Sequence, residues 1–174
     1  MSFNLQPVLV DEHILLTPLQ AKDFEDLYQV ASDPSIWEQH QEPDRYQRQQ
    51  FESFFSGAMD SGAALKILLK SSGELIGTSR YKVIDEDEGV IEIGWSFLAC
   101  KYWGGKTNRA VKKLMINYAL THYDKVIFYV NKHNQRSRRA VEKIGGKLVP
   151  PGASSWALEE KTNGVTYLID SKLS

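Results

Sequence analysis

The sequence has few of the features that mark secreted, metal-binding or membrane proteins. Cys100 is the only cysteine, so the chain cannot form an internal disulfide and matches no zinc-ligand spacing. The four histidines are scattered, and none has a second metal ligand at usable spacing. No apolar run approaches the ~20 residues of a membrane span, and residues 1–13 lack the basic start of a signal peptide. The sequence therefore predicts a cytoplasmic protein with no membrane partner and no metal.

The length and composition are those of an ordinary globular domain. With 174 residues, 42% hydrophobic and 25% charged, the chain is long enough to bury a core of its own. It contains no internal repeat, low-complexity tract or linker-like segment. We therefore expect residues 1–174 to form one domain.

The net charge of −1 conceals an uneven distribution. Residues 101–143 carry eleven basic and two acidic side chains, so this segment has a charge of +9 and the rest of the chain −10. Such polarity favours an anionic ligand on one side and a cationic one on the other. A module that binds RNA or the ribosome through residues 101–143 stays open as an alternative. Because no aromatic residues are interleaved on its arginine-rich helix, a nucleic-acid partner is not the reading we prefer.

Apolar periodicity predicts an α+β fold. Alternating residues indicate strands, and stripes at i, i+3, i+4 indicate helices. The predicted strands cover 13–19, 63–70, 74–84, 90–98 and 125–130, with a final hairpin over 156–170 that turns near Asn163-Gly164. The predicted helices cover 24–33, the stripe at 51–58, 105–121 and 134–146. This order gives a mostly antiparallel sheet with one β-α-β crossover near its middle.

The segment 90–109 joins the strongest predicted strand to a glycine-containing loop and a helix. Strict alternation places Ile91, Ile93, Trp95 and Phe97 on one strand face, and Glu92, Gly94 and Ser96 on the other. Gly104 and Gly105 precede the helix, where backbone N–H groups and the helix dipole attract an anion. Residues 105–107 match the last three positions of the P-loop motif G-x-x-x-x-G-K-[ST], but Cys100 occupies the position of its first glycine. A P-loop NTPase is therefore not the interpretation that we prefer.

Three segments in this order and spacing resemble the Gcn5-related N-acetyltransferase (GNAT) superfamily. They are "EIGW" in the fourth predicted strand, "YWGGKTNRAVKKLM" after it, and "NKHNQRSRRAVEKIGGKLV" near the C-terminus. The resemblance covers about residues 12–171 and is greatest to the ribosomal-protein-alanine N-acetyltransferase-like branch. It implies the GNAT fold, a mostly antiparallel mixed sheet that splays between strands 4 and 5 and is flanked by about four helices. It also implies acetyl-CoA as cosubstrate.

The resemblance assigns residues to the acetyl-CoA site. The pyrophosphate loop falls on residues 103–108, with Trp103, Lys106 and Asn108 in place of the usual glutamine or arginine, glycine and small residue. The pantetheine arm pairs with the free end of the fourth strand, where Gly94 is compatible with a close backbone approach. The cofactor-binding residues implied are Trp95, Ser96, Phe97, Trp103, Gly104, Gly105, Lys106, Thr107, Asn108, Arg109, Asn134 and Ser137.

Two residues are candidates for acid–base chemistry. Glu92 is the candidate base, because the acceptor ammonium must lose a proton and a carboxyl inside a sheet has a raised pKa. An ion pair of Glu92 with Arg80 or Lys82 is the structural alternative. Ser137, or a water that it holds, is the candidate acid for the leaving thiolate, since residues 134–146 contain no tyrosine. Asn134 is as well explained as a helix N-cap.

The acceptor site is predicted between the first two helices. The family places a wall of the acceptor cleft there, and Trp37, Glu38, His40 and Tyr46 are the residues expected to line it. The sequence thus predicts an N-acetyltransferase that joins acetyl-CoA and a primary amine in a ternary complex. The amine belongs to a protein N-terminus or a small molecule, and the acidic part of the chain favours a cation. A non-catalytic sensor that binds acyl-CoA stays open as an alternative function, and a homodimer stays open as the assembly state.

Overall fold

The computed structural model describes residues 2–174, so that Met1 lies outside the described part of the chain. Its strands form an eight-stranded sheet in the order β1-β2-β3-β4-β5-β6-β8-β7. The strands are β1 (Leu9–Val10), β2 (Ile14–Pro18), β3 (Ala64–Leu69), β4 (Leu75–Asp85), β5 (Val90–Leu98), β6 (Lys125–Asn131), β7 (Lys147–Val149) and β8 (Gly164–Ile169). The helices are α1 (Phe24–Ala31), α2 (Arg48–Ser61), α3 (Thr107–Ala119) and α4 (Gln135–Lys143).

The helices cover the sheet through two large apolar clusters. In one cluster, α3 and the end of α4 pack against the middle of the sheet, including Ile91 and Ile93. In the other, aromatic residues of α2 pack with α1, Trp37 and Phe97. The predicted α+β class and the four helices are confirmed, and the strand β1 is an addition that the sequence pattern did not indicate.

The sheet is antiparallel except where α3 connects β5 to β6, which are parallel. Residues Val90–Glu92 pair with Lys125–Ile127, and the two strands diverge beyond that point although both continue. The predicted splay between the fourth and fifth predicted strands is therefore confirmed. It leaves the backbone of β5 beyond Glu92 without a β6 partner.

A β-bulge in β5 overturns the predicted alternation of its side chains. Thr78 pairs with Phe97 and Arg80 pairs with Gly94, so Ser79 alone faces both Trp95 and Ser96. Trp95 has a φ of 51°, a left-handed conformation that is strained for a bulky residue. Because β5 has one extra residue here, its side chains after the bulge lie on the opposite sheet face from the one that strict alternation predicts. Phe97 therefore packs with α1 and α2 rather than with Ile91 and Ile93, and the prediction for this half of β5 was wrong.

The C-terminal hairpin also differs from the prediction. Residues 156–163 form no strand, and β8 instead pairs with β7, which comes before a loop over residues 150–163. Pro150 and Pro151 begin this loop, and proline cannot donate to a sheet ladder. Trp156 is buried in a small cluster with Val90 and Ile127, so its apolar character serves packing and not strand pairing.

Candidate functional site

A cavity of about 400 Å³ opens where β5 and β6 separate. Its walls come from both strands, from the starts of α3 and α4, and from the segment between α1 and α2. The predicted site residues that line it are Trp37, His40, Glu92, Trp95, Ser96, Phe97, Trp103, Gly104, Asn108, Asn134 and Ser137. The predicted residues that do not line it are Glu38, Tyr46, Gly105, Lys106, Thr107 and Arg109. The fold thus gathers residues from distant segments into one cleft.

Glu92 is a buried carboxyl that faces this cavity. Its residue is 6% exposed, and burial raises the pKa of its side chain to about 7. Lys82, directly opposite on β4, and Arg80 oppose this rise in pKa by their charge, yet neither comes within the 4.0 Å of an ion pair. A side chain at Gly94 would lie 2.9 Å from Glu92 Oε1, so the glycine leaves room for the carboxyl. Glu92 can therefore exchange a proton near neutral pH.

Lys112 is a second buried ionisable group in the cavity, and sequence reasoning missed it. Its residue is 6% exposed, and its Nζ donates a hydrogen bond of 2.7 Å to Ser96 Oγ. Ser96 Oγ in turn lies 2.7 Å from Ser79 Oγ. Burial lowers the pKa of Lys112 to about 8. The sequence carried a signal for this burial, since Lys112 lies at helical spacing with the buried residues Met115, Ile116 and Ala119.

The start of α3 is open to an anion. Gly104 has a φ of 71°, and nothing lies within 4 Å of where a side chain would begin at Gly104 or Gly105. No side chain caps this helix N-terminus, so its N–H groups remain available. Lys106 and Arg109 are exposed beside it, and Arg109 contributes a long hydrogen bond of 3.4 Å to the Ser174 carbonyl.

The start of α4 contributes Asn134 and Ser137. Asn134 Oδ1 accepts a hydrogen bond of 3.1 Å from the Ser137 N–H, so the predicted N-cap is present. Asn134 is 3% exposed and lines the cavity, and its amide nitrogen donates no hydrogen bond within residues 2–174. The Ser137 hydroxyl is likewise free to bond a ligand or water.

Arg136 and Trp103 both line the cavity and contact each other, which the sequence did not reveal. The Arg136 guanidinium lies 3.9 Å from the centre of the Trp103 indole, and Arg136 Nη2 donates a 2.9 Å hydrogen bond to the Ile36 carbonyl. Trp103 Nε1 donates to the Leu98 carbonyl at 3.0 Å. These bonds join the start of α4, the loop before α3 and the segment after α1, as a pre-organised site requires.

The segment between α1 and α2 forms the opposite wall. Trp37 is 1% exposed, and its Nε1 donates a 2.8 Å hydrogen bond to the Ala31 carbonyl. Burial, then the charges of Arg45 and Arg136, lower the pKa of His40 to about 4, so this ring is neutral at pH 7. Glu38 is exposed, and Tyr46 is half-buried away from the cavity. The structure thus places two of the four predicted wall residues at the cleft.

The family follows from a sequence comparison. A model of the GNAT acetyltransferase domain matches residues 13–147. The chain belongs to the GNAT acetyltransferase family. No curated protein sequence matches it closely enough to count as a relative.

Solved GNAT structures share the fold at low sequence identity. A GCN5-related N-acetyltransferase from Brucella melitensis is 20% identical with a TM-score of 0.75, over 94% of this chain and 78% of that chain. RimJ from Mycobacterium smegmatis, in complex with CoA-disulfide, is 18% identical with a TM-score of 0.67, over 91% and 82%. A proposed ribosomal-protein-serine acetyltransferase from Vibrio cholerae is 12% identical with a TM-score of 0.76, over 95% and 98%.

The site of this GNAT protein suits the acetyl-CoA that its family uses. Beyond Glu92, β5 pairs with β4 on one side and has no β6 partner on the other, so this open side offers N–H and C=O groups to an extended amide-containing arm. The open glycines at the start of α3 leave space for a pyrophosphate near the helix N-terminus. Within residues 2–174, no group of three or more potential ligands is placed to hold a metal ion, and no helix has the length and apolar character of a membrane span.

Proposed function

We propose that the protein transfers the acetyl group of acetyl-CoA to a primary amine while both substrates are bound. Glu92 carries the proposal. It is a buried, unpaired carboxyl at the point where the strands separate, and its pKa of about 7 suits a general base. The base accepts the ammonium proton, directly or through a water, and the free amine then attacks the thioester.

The other residues of the cavity position the substrates and accept charge. The N–H groups at the start of α3, with Lys106 and Arg109 nearby, would bind the pyrophosphate. The stretch of β5 at Trp95, Ser96 and Phe97, which has no β6 partner, would pair with the pantetheine and bind the thioester carbonyl. The Ser137 hydroxyl, or a water bound to it, would give a proton to the leaving thiolate. The amine nitrogen bonds to the acyl carbon to give a tetrahedral intermediate, whose carbon–sulfur bond then breaks to release the amide and free CoA.

The test replaces Glu92 with glutamine and measures kcat/KM against pH. In the wild type, kcat/KM rises with pH through about 7, because only the ionised carboxyl accepts a proton. Glu92→Gln removes this limb and lowers kcat by roughly 10²–10⁴-fold, while CoA affinity by calorimetry stays the same. Glu52→Gln, an exposed carboxyl of α2, is the matched control and keeps the wild-type profile. The free-thiol assay uses peptide N-termini, polyamines, amino acids and aminoglycosides as acceptors.

Two results would contradict the proposal. A Glu92→Gln variant with the wild-type pH profile would assign the base to another group. A protein that binds acetyl-CoA and releases no thiol with any acceptor would instead be the non-catalytic acyl-CoA sensor.

A further inference from the structure

Lys112 is a buried cation that has no anionic partner. It lies on α3 and is 6% exposed, and within residues 2–174 no carboxylate comes within the 4.0 Å of an ion pair with it. A buried charge without a counter-ion costs free energy, so its presence indicates a role in a site and not in stability. Lys112 also lines the cavity that opens where β5 and β6 separate, which places it beside the proposed acetyl-CoA site.

The ammonium group of Lys112 is bound at the bulge of β5. Its Nζ donates a 2.7 Å hydrogen bond to Ser96 Oγ, which is the one hydrogen-bond partner of this nitrogen within residues 2–174. Ser96 Oγ lies 2.7 Å from the hydroxyl of Ser79, the β4 residue that faces both Trp95 and Ser96. Because an ammonium only donates, Ser96 accepts from Lys112, and its own proton is available to Ser79. Hydrogen bonds therefore join α3, β5 and β4 at the bulge.

The bulge contains a strained residue and needs such support. Trp95 has a φ of 51°, and a conformation of this kind persists in a bulky residue only where the surrounding structure holds it. The Arg80 guanidinium carbon lies 4.3 Å from the centre of the Trp95 indole, and Trp95 packs with the apolar cluster of α1 and α2. The next residue, Ser96, is bound from α3 by Lys112. Helices from different parts of the chain thus hold the two residues of the bulge.

The bulge lies in the part of β5 that the proposed function assigns to acetyl-CoA. Because β5 pairs with β6 only as far as Glu92, Trp95 and Ser96 fall on the stretch whose other side is open. A β-bulge bends its strand and changes the direction of the backbone groups around it. The directions of the open N–H and C=O groups therefore depend on the form of the bulge. A displacement of about 1 Å is enough to impair a site that binds an extended ligand through such groups.

We propose that Lys112 is a positioning residue, whose hydrogen bond to Ser96 holds the bulge of β5 in the form that receives the pantetheine arm of acetyl-CoA. This inference rests on the acetyl-CoA binding of the proposed function, and adds to it a residue that acts through Ser96 and not by contact with the substrate. Lys112 belongs to the helix whose start is open to the pyrophosphate. One helix thus serves both parts of the cosubstrate, the pyrophosphate by its N-terminus and the pantetheine through Lys112.

The first experiment compares the two halves of CoA by calorimetry. Lys112→Met keeps an unbranched side chain and removes the donor, and we expect it to bind CoA roughly 10-fold more weakly. Its affinity for 3′-phospho-ADP, which has the pyrophosphate and lacks the pantetheine, should stay within about twofold of the wild type. Lys113→Met is the matched control, because it removes the same charge from an exposed position of α3 and should keep both affinities. Equal losses with both ligands in Lys112→Met would mean that the charge of Lys112 acts on the phosphates, which overturns the proposal.

A double-mutant cycle tests whether Lys112 acts through Ser96. Ser96→Ala removes the acceptor without a change of charge, and should weaken CoA binding by the same roughly 10-fold. The two substitutions together should lose no more than either one, because both break the same hydrogen bond. Losses that multiply to roughly 100-fold would show independent effects and overturn the proposal. Ser96→Ala also serves if Lys112→Met does not fold, since an unchanged CoA affinity in Ser96→Ala is by itself enough to overturn the proposal.

Hydrogen exchange without any ligand measures the bulge directly. In Lys112→Met and in Ser96→Ala, the amides of residues 94–97 should exchange roughly 10-fold faster than in the wild type, because the bulge has lost the bond that holds it. The amides of β3, which is paired on both sides, should not exchange faster. Unchanged exchange over residues 94–97 would show that the bulge keeps its form without Lys112, and the positioning role would be wrong.

The outcomes separate this inference from the proposed function. A wild-type protein that acetylates an amine, together with a Lys112→Met variant that binds CoA equally well, overturns the positioning role and leaves acetyl transfer intact. A wild-type protein that binds CoA and releases no thiol with any amine overturns acetyl transfer, while the effect of Lys112 on CoA affinity can still be measured. Absence of CoA binding by the wild type overturns both.

Discussion

Lys112 and Glu92 are buried ionisable side chains, and both face the cavity. Burial moves the pKa of Lys112 down to about 8 and that of Glu92 up to about 7. Each shift means that the folded state disfavours the charged form. We therefore assign their presence to the site and not to stability.

Replacing Lys112 with methionine should stabilise the protein at neutral pH. Because the pKa of Lys112 is lower in the folded state, its burial cost is fully present below pH 8 and fades as the pH rises toward the unfolded value of 10.5. Lys112→Met should therefore raise the free energy of unfolding at pH 7 by up to about 3 kcal/mol, and by less at pH 10. Urea unfolding at both values measures this. Lys113→Met, at an exposed position of α3, should change stability by less than about 0.5 kcal/mol. A loss of stability in Lys112→Met at pH 7 would show that the bond to Ser96 outweighs the burial cost.

Ser137 is the residue proposed to donate a proton to the leaving thiolate. Its backbone N–H is bound by Asn134, which fixes the first turn of α4 without using the hydroxyl. Ser137→Ala should therefore lower kcat by roughly 10–100-fold and leave CoA affinity within about twofold. Ser137→Cys, which keeps a donor, should recover part of the loss. An undiminished kcat in Ser137→Ala would restrict the residue to the start of the helix.

At the scale of elements, the bulge in β5 and the start of α3 decide the shape of the site. The bulge turns Ser96 toward Lys112 and Phe97 toward α1 and α2, so β5 changes its partners midway along the cleft. The loop after it then brings an uncapped helix N-terminus to the same cleft. A strand that separates from its neighbour and a helix that begins beside it give a backbone-lined groove with a positive end.

A charge reversal at the start of α3 should weaken CoA binding. Lys106→Glu puts a negative side chain at the helix N-terminus, where it repels the phosphate that the helix dipole and the free N–H groups attract. We expect CoA to bind roughly 10-fold more weakly by calorimetry, and pantetheine, which lacks the pyrophosphate, to be affected less. Lys113→Glu makes the same change on the exposed middle of the same helix, and its CoA affinity should be close to that of the wild type. Equal effects of the two variants would mean that only the general field of the molecule acts on CoA.

At the scale of the whole molecule, the excess positive charge of residues 101–143 is divided among different environments. Lys112 is buried, Arg136 is half-buried against Trp103, and both line the cavity. Lys101 is paired with Glu74 at 2.7 Å, whereas Lys106 and Arg109 are exposed beside the start of α3. This division serves an anionic ligand of the cleft.

The sequence by itself determined the order of the elements, the family and the glycine-containing start of α3. These features depend on local periodicity and on residues that are neighbours in the chain, and Glu92 was found in the same way, as a carboxyl within an apolar strand. The bulge was not predictable, because strict alternation assumes one residue for each partner across the ladder. The final hairpin was misplaced for a related reason, since Trp156 is as apolar as a strand residue but packs as part of a loop.

Only the tertiary structure decided which charged side chains belong to the site. Arg45, Lys112 and Arg136 come from the segment before α2, from α3 and from α4, and nothing in their local sequence shows that they face one cleft. Whether such a side chain meets water, a carboxylate or an aromatic ring depends on where β5 and β6 separate and on which helices cover the gap. That separation is a long-range property of the sheet, because it is set by pairing between residues more than thirty positions apart.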